Sequence, residues 1–240
     1  MAELKNKESA RRVGRRIGIL LLVQAILAIP VFTEVGMLRS IIVAGFLENA
    51  AGSAVQIRVA LLLLFVLGAL TLVVAIEGLP LFRRYAERMA LAFLALSILG
   101  MALEGTETHA IRTMLSTSLQ YAKPDAPKEI LQVVASTARS TWSSAHFTNL
   151  MLGHLKLFVL YVILFRSALV PRALAGFGIA ASILSMTAAI RALLGYRFLY
   201  ALIAPAGLCL IFLSIWLVIR GFAEREPVEG TLDQSSHRIG

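Results

Sequence analysis

Cys209 is the only cysteine in the chain, and it lies inside an apolar run. No internal disulfide can form, and paired-cysteine metal or redox motifs are excluded. The chain also lacks a G-x-S-x-G elbow, a P-loop and a G-x-G-x-x-G turn, which removes the common nucleophile and nucleotide sites. Neither H-E-x-x-H nor E-x-x-H occurs, so no compact helical metal motif is present. Acidic residues are few, 14 Asp and Glu against 23 Lys and Arg, and long stretches carry no charge at all. The net charge of +9 is not a nucleic-acid signature. The basic residues sit in short clusters beside apolar runs and without a basic-aromatic motif, which suits anchoring and orientation in a membrane.

What the chain has in excess is hydrophobicity. Of its 240 residues 58% are hydrophobic, and the mean hydropathy is +0.81. A soluble domain is roughly 45–50% apolar. The excess falls in long runs, which predicts an all-α polytopic membrane helix bundle.

Residues 1–16 form a basic N-terminus with Lys5, Lys7, Arg11, Arg12, Arg15 and Arg16. A first span is predicted over 17–33, with a kink at Pro30 near its outer end. The segment 34–56 carries Met37, Leu38, Ile41, Ile42, Phe46 and Leu47 at helical spacing, which predicts an amphipathic helix lying at the interface or capping the bundle. The second span is 59–76. The third has only fifteen apolar residues, Met89 to Leu103, about 22 Å of helix against a hydrocarbon core of about 30 Å. It must continue through Glu104 and Glu107 to cross.

Residues 110–140 predict an extracytoplasmic helical hairpin between the third and fourth spans. Ile111, Met114, Leu115 and Leu119 form one face, and Ile130, Leu131, Val133, Val134 and Ala138 the other. The two faces should pack on each other across the turn at Lys123 to Pro127. The fourth span, Thr141 to Phe165, carries His146, Asn149, His154 and Lys156. The fifth is 173–190, where Gly176 and Ala180 predict close helix contact. The sixth is 198–219. Residues 17–222 thus form a six-helix membrane domain, and 223–240 a disordered cytoplasmic tail. The Lys and Arg bias puts both termini in the cytoplasm.

Charged groups at membrane depth cost about 2.5–3.5 kcal/mol each on insertion scales, so they face an interior and take partners. By rise per residue, Glu34, Glu104 and Asn149 share one height in the outer third. Glu107, His109, His146 and Arg191 lie slightly above, and His154 and Lys156 near the midplane. His146 and His154 share a helix face, and Lys156 points the opposite way. The expectation is one outward-facing pocket built from Glu34, Glu104, His146, Asn149, His154 and Arg191. A metal reading gathers Glu104, Glu107, His109 and His146 around zinc or iron. In the plain alternative, His109 and His146 are interfacial polar residues, and Glu104 bonds a neighbouring helix or Arg191.

The stretch Phe165-Arg166-Ser167-Ala168-Leu169-Val170-Pro171-Arg172, with Gly176 and Gly178 after it, resembles a family of bacterial six-helix membrane proteins grouped as domain of unknown function 4386. Those proteins also pair a His-bearing fourth span with an R-S-x-x-x-P-R loop and a Gly-rich fifth span. The likeness covers 11–222. It implies a multi-pass protein of the bacterial inner membrane, and no activity comes with it.

Three function classes stay open. The first is a protein binding a small or amphipathic ligand in the outward-facing polar pocket. The second is an intramembrane metal-dependent enzyme acting on lipid. The third is a transporter or channel, against which stands the lack of an inverted repeat. The sequence favours the first, with membrane lipids as partners, a homo-oligomer left open, and no nucleic acid.

Overall fold

A computed structural model describes residues 2–32 and 36–223. The predicted tail of 223–240 lies outside the described residues apart from Ala223, and so does Glu34. The described chain is helical throughout its ordered elements, with no strand among them. Helix α1 is Ala2–Phe32, α2 is Arg39–Ile42, and α3 is Phe46–Asn49. Helix α4 is Ala54–Tyr121, α5 is Lys128–Ser167, α6 is Arg172–Leu193, and α7 is Ala204–Arg220. Five of these, α1 and α4 to α7, are long and apolar enough to cross a membrane. The chain is a multi-pass membrane protein.

Helix α4 is not one rod. Ala86 leaves the helical region at φ −157° and ψ 73°, and the two arms fold back on each other. Gly68 of the first arm touches Glu104 and Met101 of the second. The basic stretch Arg83 to Arg88, expected as a connection between spans, is therefore helical up to a single broken residue. Helix α1 likewise carries the basic N-terminal residues directly into its apolar part.

The segment predicted as one amphipathic helix is two single turns. Gly45 separates them at φ 77°, a left-handed conformation that costs glycine nothing and other residues about 1–2 kcal/mol. Its apolar residues still pack as expected, with Leu38, Ile41 and Phe46 buried. The final span also starts later than 198. Tyr200–Leu202 is a 3-10 turn, and α7 begins at Ala204 with Pro205 in its first turn, where a missing N–H costs nothing.

Two apolar cores hold the bundle. The first joins Ile17, Phe82, Phe93, Tyr161, Leu213 and Phe222. The second joins Ile41, Ile57, Leu64, Ile111, Met114 and Trp142. In α1, in both arms of α4 and in α5 the stretches between these cores are mostly apolar but contain the polar residues Gln24, Thr71, Ser97, Glu104, Glu107, His146, Asn149, His154 and Lys156.

Close packing is set by glycines. A Cβ at Gly14 or Gly18 would overlap the backbone of α7 and its C-terminal extension, at Phe222 N and Val218 N. On α6 the contact is made by Gly178, where a Cβ would enter the Tyr161 ring. The expected pair Gly176 and Ala180 does not make it. Ala180 is exposed, and Gly176 leaves ordinary room beside Phe165 at 3.7 Å. The buried stripe of α6 is one step round: Ala175, Gly178, Ser182, Ser185 and Ala189.

Helix α5 has 40 residues and α6 has 22. They are joined by the short loop 168–171, so α5 overshoots α6 by roughly 27 Å at the far end. The overshooting part of α5 packs on the end of α4. Here the predicted face needs correction. Leu131, Ala135, Ala138 and Trp142 are buried, whereas Ile130, Val133 and Val134 are exposed at 64%, 66% and 41%. The buried set follows i, i+4, i+7, i+11, one strict helical stripe, and the valines and Ile130 lie off it.

Candidate functional site

Helix α5 brings the polar groups to the second arm of α4, and the partner it meets is Glu107. Nδ1 of His146 donates to Glu107 Oε1 at 2.8 Å, and Asn149 Nδ2 to Glu107 Oε2 at 3.4 Å. Glu107 is only 5% exposed. A buried carboxylate needs such donors, because leaving it bare costs the full desolvation penalty. The sequence placed His146 and Asn149 opposite Glu104. The structure moves that role to Glu107, three positions along the same helix.

His146 is held from its other side by an aromatic row. Trp142 stacks on it with ring centres 5.1 Å apart, and Phe147 meets it edge-on at 5.3 Å. The row continues from Phe147 to Phe198 and Tyr200 in the α6–α7 connection. At the other end Arg139 lies 4.9 Å above Trp142 and donates to the Ile41 carbonyl at 3.1 Å. The buried carboxylate of α4 is thus linked through α5 to α2. Arg139 and Trp142 belong to this unit and are not among the residues expected from the sequence. Their signal is the i, i+3 and i, i+4 spacing of Arg139, Trp142 and His146.

Glu104 occupies a separate place. Its carboxylate sits on the bare backbone of Gly68, where any Cβ would collide with Oε2. It lies within electrostatic reach of Glu107 and Lys156. It also lines a cavity of about 270 Å³ with Phe65, Met101, Thr108, His109 and Arg112. Glu104, Thr108 and Arg112 follow one another at i, i+4 and i+8, a stripe readable in the sequence.

The remaining candidates do not join either group. Arg191 is exposed and lies 5.5 Å over the Tyr196 ring. His154 is buried with neither ring nitrogen hydrogen-bonded, and it does not line the cavity. Gln24 bridges α1 to α4, donating to Thr71 Oγ1 at 2.6 Å. The four residues of the metal reading divide in two: Glu107 with His146, and Glu104 with His109 in the cavity wall. Among the described residues no three His, Cys, Asp or Glu side chains gather as a metal-binding group.

The cavity lining thus brings together the Glu104 carboxylate, the Thr108 hydroxyl, the His109 imidazole, the Arg112 guanidinium and the apolar side chains of Phe65 and Met101. No match is found among curated proteins or among solved structures. The profile described as Domain of unknown function (DUF4386) matches residues 17–221, and the chain belongs to that family.

Proposed function

We propose that this protein binds an amphipathic ligand in the cavity between the two arms of α4. One observation carries the reading: a single cavity combines Phe65 and Met101 with Thr108, His109 and Arg112 above the Glu104 carboxylate. The apolar part suits a hydrocarbon body, and the rim suits a polar head, as ligand sites generally combine an apolar lining with few placed polar groups. Leu62, Phe65 and Val66 beside it are exposed, which favours entry from the bilayer. Buried Glu107, with His146 and Asn149, stiffens the wall behind. Arg191 and His154 lie away from the cavity, so they are not assigned to the ligand.

The topology that goes with this function counts the two arms of α4 as separate crossings, giving six. Both ends then lie on one side, the basic cytoplasmic face of a bacterial inner membrane, as the Lys and Arg bias favours. The domain limits of 1–16, 17–222 and 223–240 go with it. The overshoot of α4 and α5 stands outside the bilayer as an extracytoplasmic hairpin.

The test is photolabelling of the purified protein in lipid nanodiscs with a phospholipid analogue carrying a photoreactive acyl chain. Labelling concentrated at Phe65 and Met101, and lost in Arg112→Ala, is the expected result. Labelling spread evenly over all lipid-facing helices, unchanged by Arg112→Ala, would refute it.

A further inference from the structure

The opposite end of the bundle gathers charge of one kind. Phe222 is its keystone. It is 3% exposed, meets the Phe82 ring at 5.9 Å, and packs against Gly14. The next residue, Ala223, donates its N–H to the Leu169 carbonyl at 2.9 Å. These contacts draw together the start of α1, the break in α4, the loop 168–171 and the end of α7. Among the residues with described side chains, this end carries Arg11, Arg12, Arg15, Arg16, Arg83, Arg84, Arg88, Arg166, Arg172 and Arg220. Glu8, Glu77 and Glu87 are the acids that face them.

Several of these arginines hold the fold together. Arg11 Nε and Arg15 Nη2 donate to the carbonyls of Arg220 and Ile219, C-terminal groups of α7 that lack a partner within the helix. Arg16 pairs with Glu77 at 3.7 Å, and Arg83 pairs with Glu87. Arg220 lies 6.0 Å over Trp216. Arg88, Arg166 and Arg172 differ from these, being exposed and without a partner among the described residues. Arg166 and Arg172 bracket the loop whose Leu169 and Val170 are buried, so their positions are fixed by packing.

Helix α1 also brings Lys5 and Lys7 to this end, and the three exposed positions without a partner, Arg88, Arg166 and Arg172, are all arginine. The planar guanidinium is weakly hydrated and grips a phosphate through two parallel N–H bonds, which lysine cannot do. Arg88, Arg166 and Arg172 follow the break in α4, close α5 and open α6, next to the apolar parts of those helices.

We propose that the arginine-lined end formed by Arg88, Arg166 and Arg172 around the Phe222 keystone binds the phosphate headgroups of anionic lipids. The site is independent of the α4 cavity and lies at the other end of the molecule. Each arginine near the surface contributes on the order of a five-fold preference for an anionic over a neutral lipid.

The experiment uses the full chain in nanodiscs of phosphatidylcholine, titrated with phosphatidylglycerol, and counts retained lipids by native mass spectrometry. The wild type should retain phosphatidylglycerol preferentially. Combined Arg88→Gln, Arg166→Gln and Arg172→Gln should lower that preference by roughly five-fold per residue, while the exposed arginines of the other end, in Arg58→Gln and Arg197→Gln, leave it unchanged. Single variants, each at an exposed position, keep the test valid where the triple variant fails to fold. No preference in the wild type, or equal loss in the two sets of variants, would overturn the proposal. Competition by glycerol phosphate as effective as that by the lipid would also overturn it, since the surface would then take a free anion and not a membrane.

Discussion

His146 donates to Glu107 at 2.8 Å, and its neighbour Asn149 reaches the other oxygen of the same carboxylate. A hydrogen bond to a charged group of this kind is worth about 1.5–3 kcal/mol, and its loss leaves Glu107 buried with less compensation. His146→Ala should therefore destabilise the protein by about that amount. In a Glu107→Gln background the same change should cost distinctly less, because a neutral amide needs less from its partner. In a Glu104→Gln background the cost should stay near the wild-type value. Thermal unfolding in detergent of the three pairs decides it. Equal costs in all backgrounds would show that His146 and Glu107 are uncoupled.

Gly68 separates stability from binding. Gly68→Ala pushes against the far end of a flexible Glu104 side chain, so the fold should lose little. The floor of the cavity should shift, and photolabelling at Phe65 and Met101 should fall. A large loss of thermal stability with unchanged labelling would contradict both expectations.

Gly14 and Gly18 should behave in the opposite way. There the added methyl group meets backbone atoms of α7 and Phe222, which cannot move aside as a side chain can. Overpacking of this kind costs about 1–3 kcal/mol. Gly14→Ala and Gly18→Ala should lower the unfolding temperature, and Gly176→Ala should be close to neutral. Comparable effects at all three positions would show that the α1–α7 seam is no tighter than the rest of the bundle.

The overshooting hairpin offers a contrast between faces. Leu115 is 4% exposed and Ala135 3%, so Leu115→Asp or Ala135→Asp buries an unpaired charge and should open the hairpin to protease. Val134 is 41% exposed, and Val134→Asp should be tolerated. Cleavage within 122–140 is the measurement. Equal cleavage of the Val134 and Ala135 variants would reverse the assignment of the faces.

Topology is checked with engineered cysteines at Gln120 and Arg83, since native Cys209 is buried. A membrane-impermeant thiol reagent should label 120 from outside and 83 only after permeabilisation. The opposite pattern would invert the bundle and turn the cavity toward the cytoplasm.

The sequence is most readable where hydrophobicity acts over whole helices. Uncharged runs announce the spans, and the shortness of Met89 to Leu103 correctly implies that α4 carries carboxylates onward. It is less readable where one or two residues of rotation decide. Glu104 and Glu107 lie on adjacent faces of one helix, and only the packing of α4 on α5 selects which of them meets His146. Val134 and Ala135 pose the same ambiguity, as do Gly176 and Gly178. The Gly14 and Gly18 spacing is present but hidden by Arg15 and Arg16, which read as charge and not as a seam. Gly68 carries no signal at all, since its role depends on a carboxylate brought back by the break at Ala86.

The mismatch in helix length between α5 and α6 has a consequence for the surrounding bilayer. In the proposed topology the ends of α4 and α5 would rise roughly 27 Å beyond the connection that carries Tyr196, Phe198 and Tyr200, so one flank of the molecule would stand tall above the bilayer and the other low.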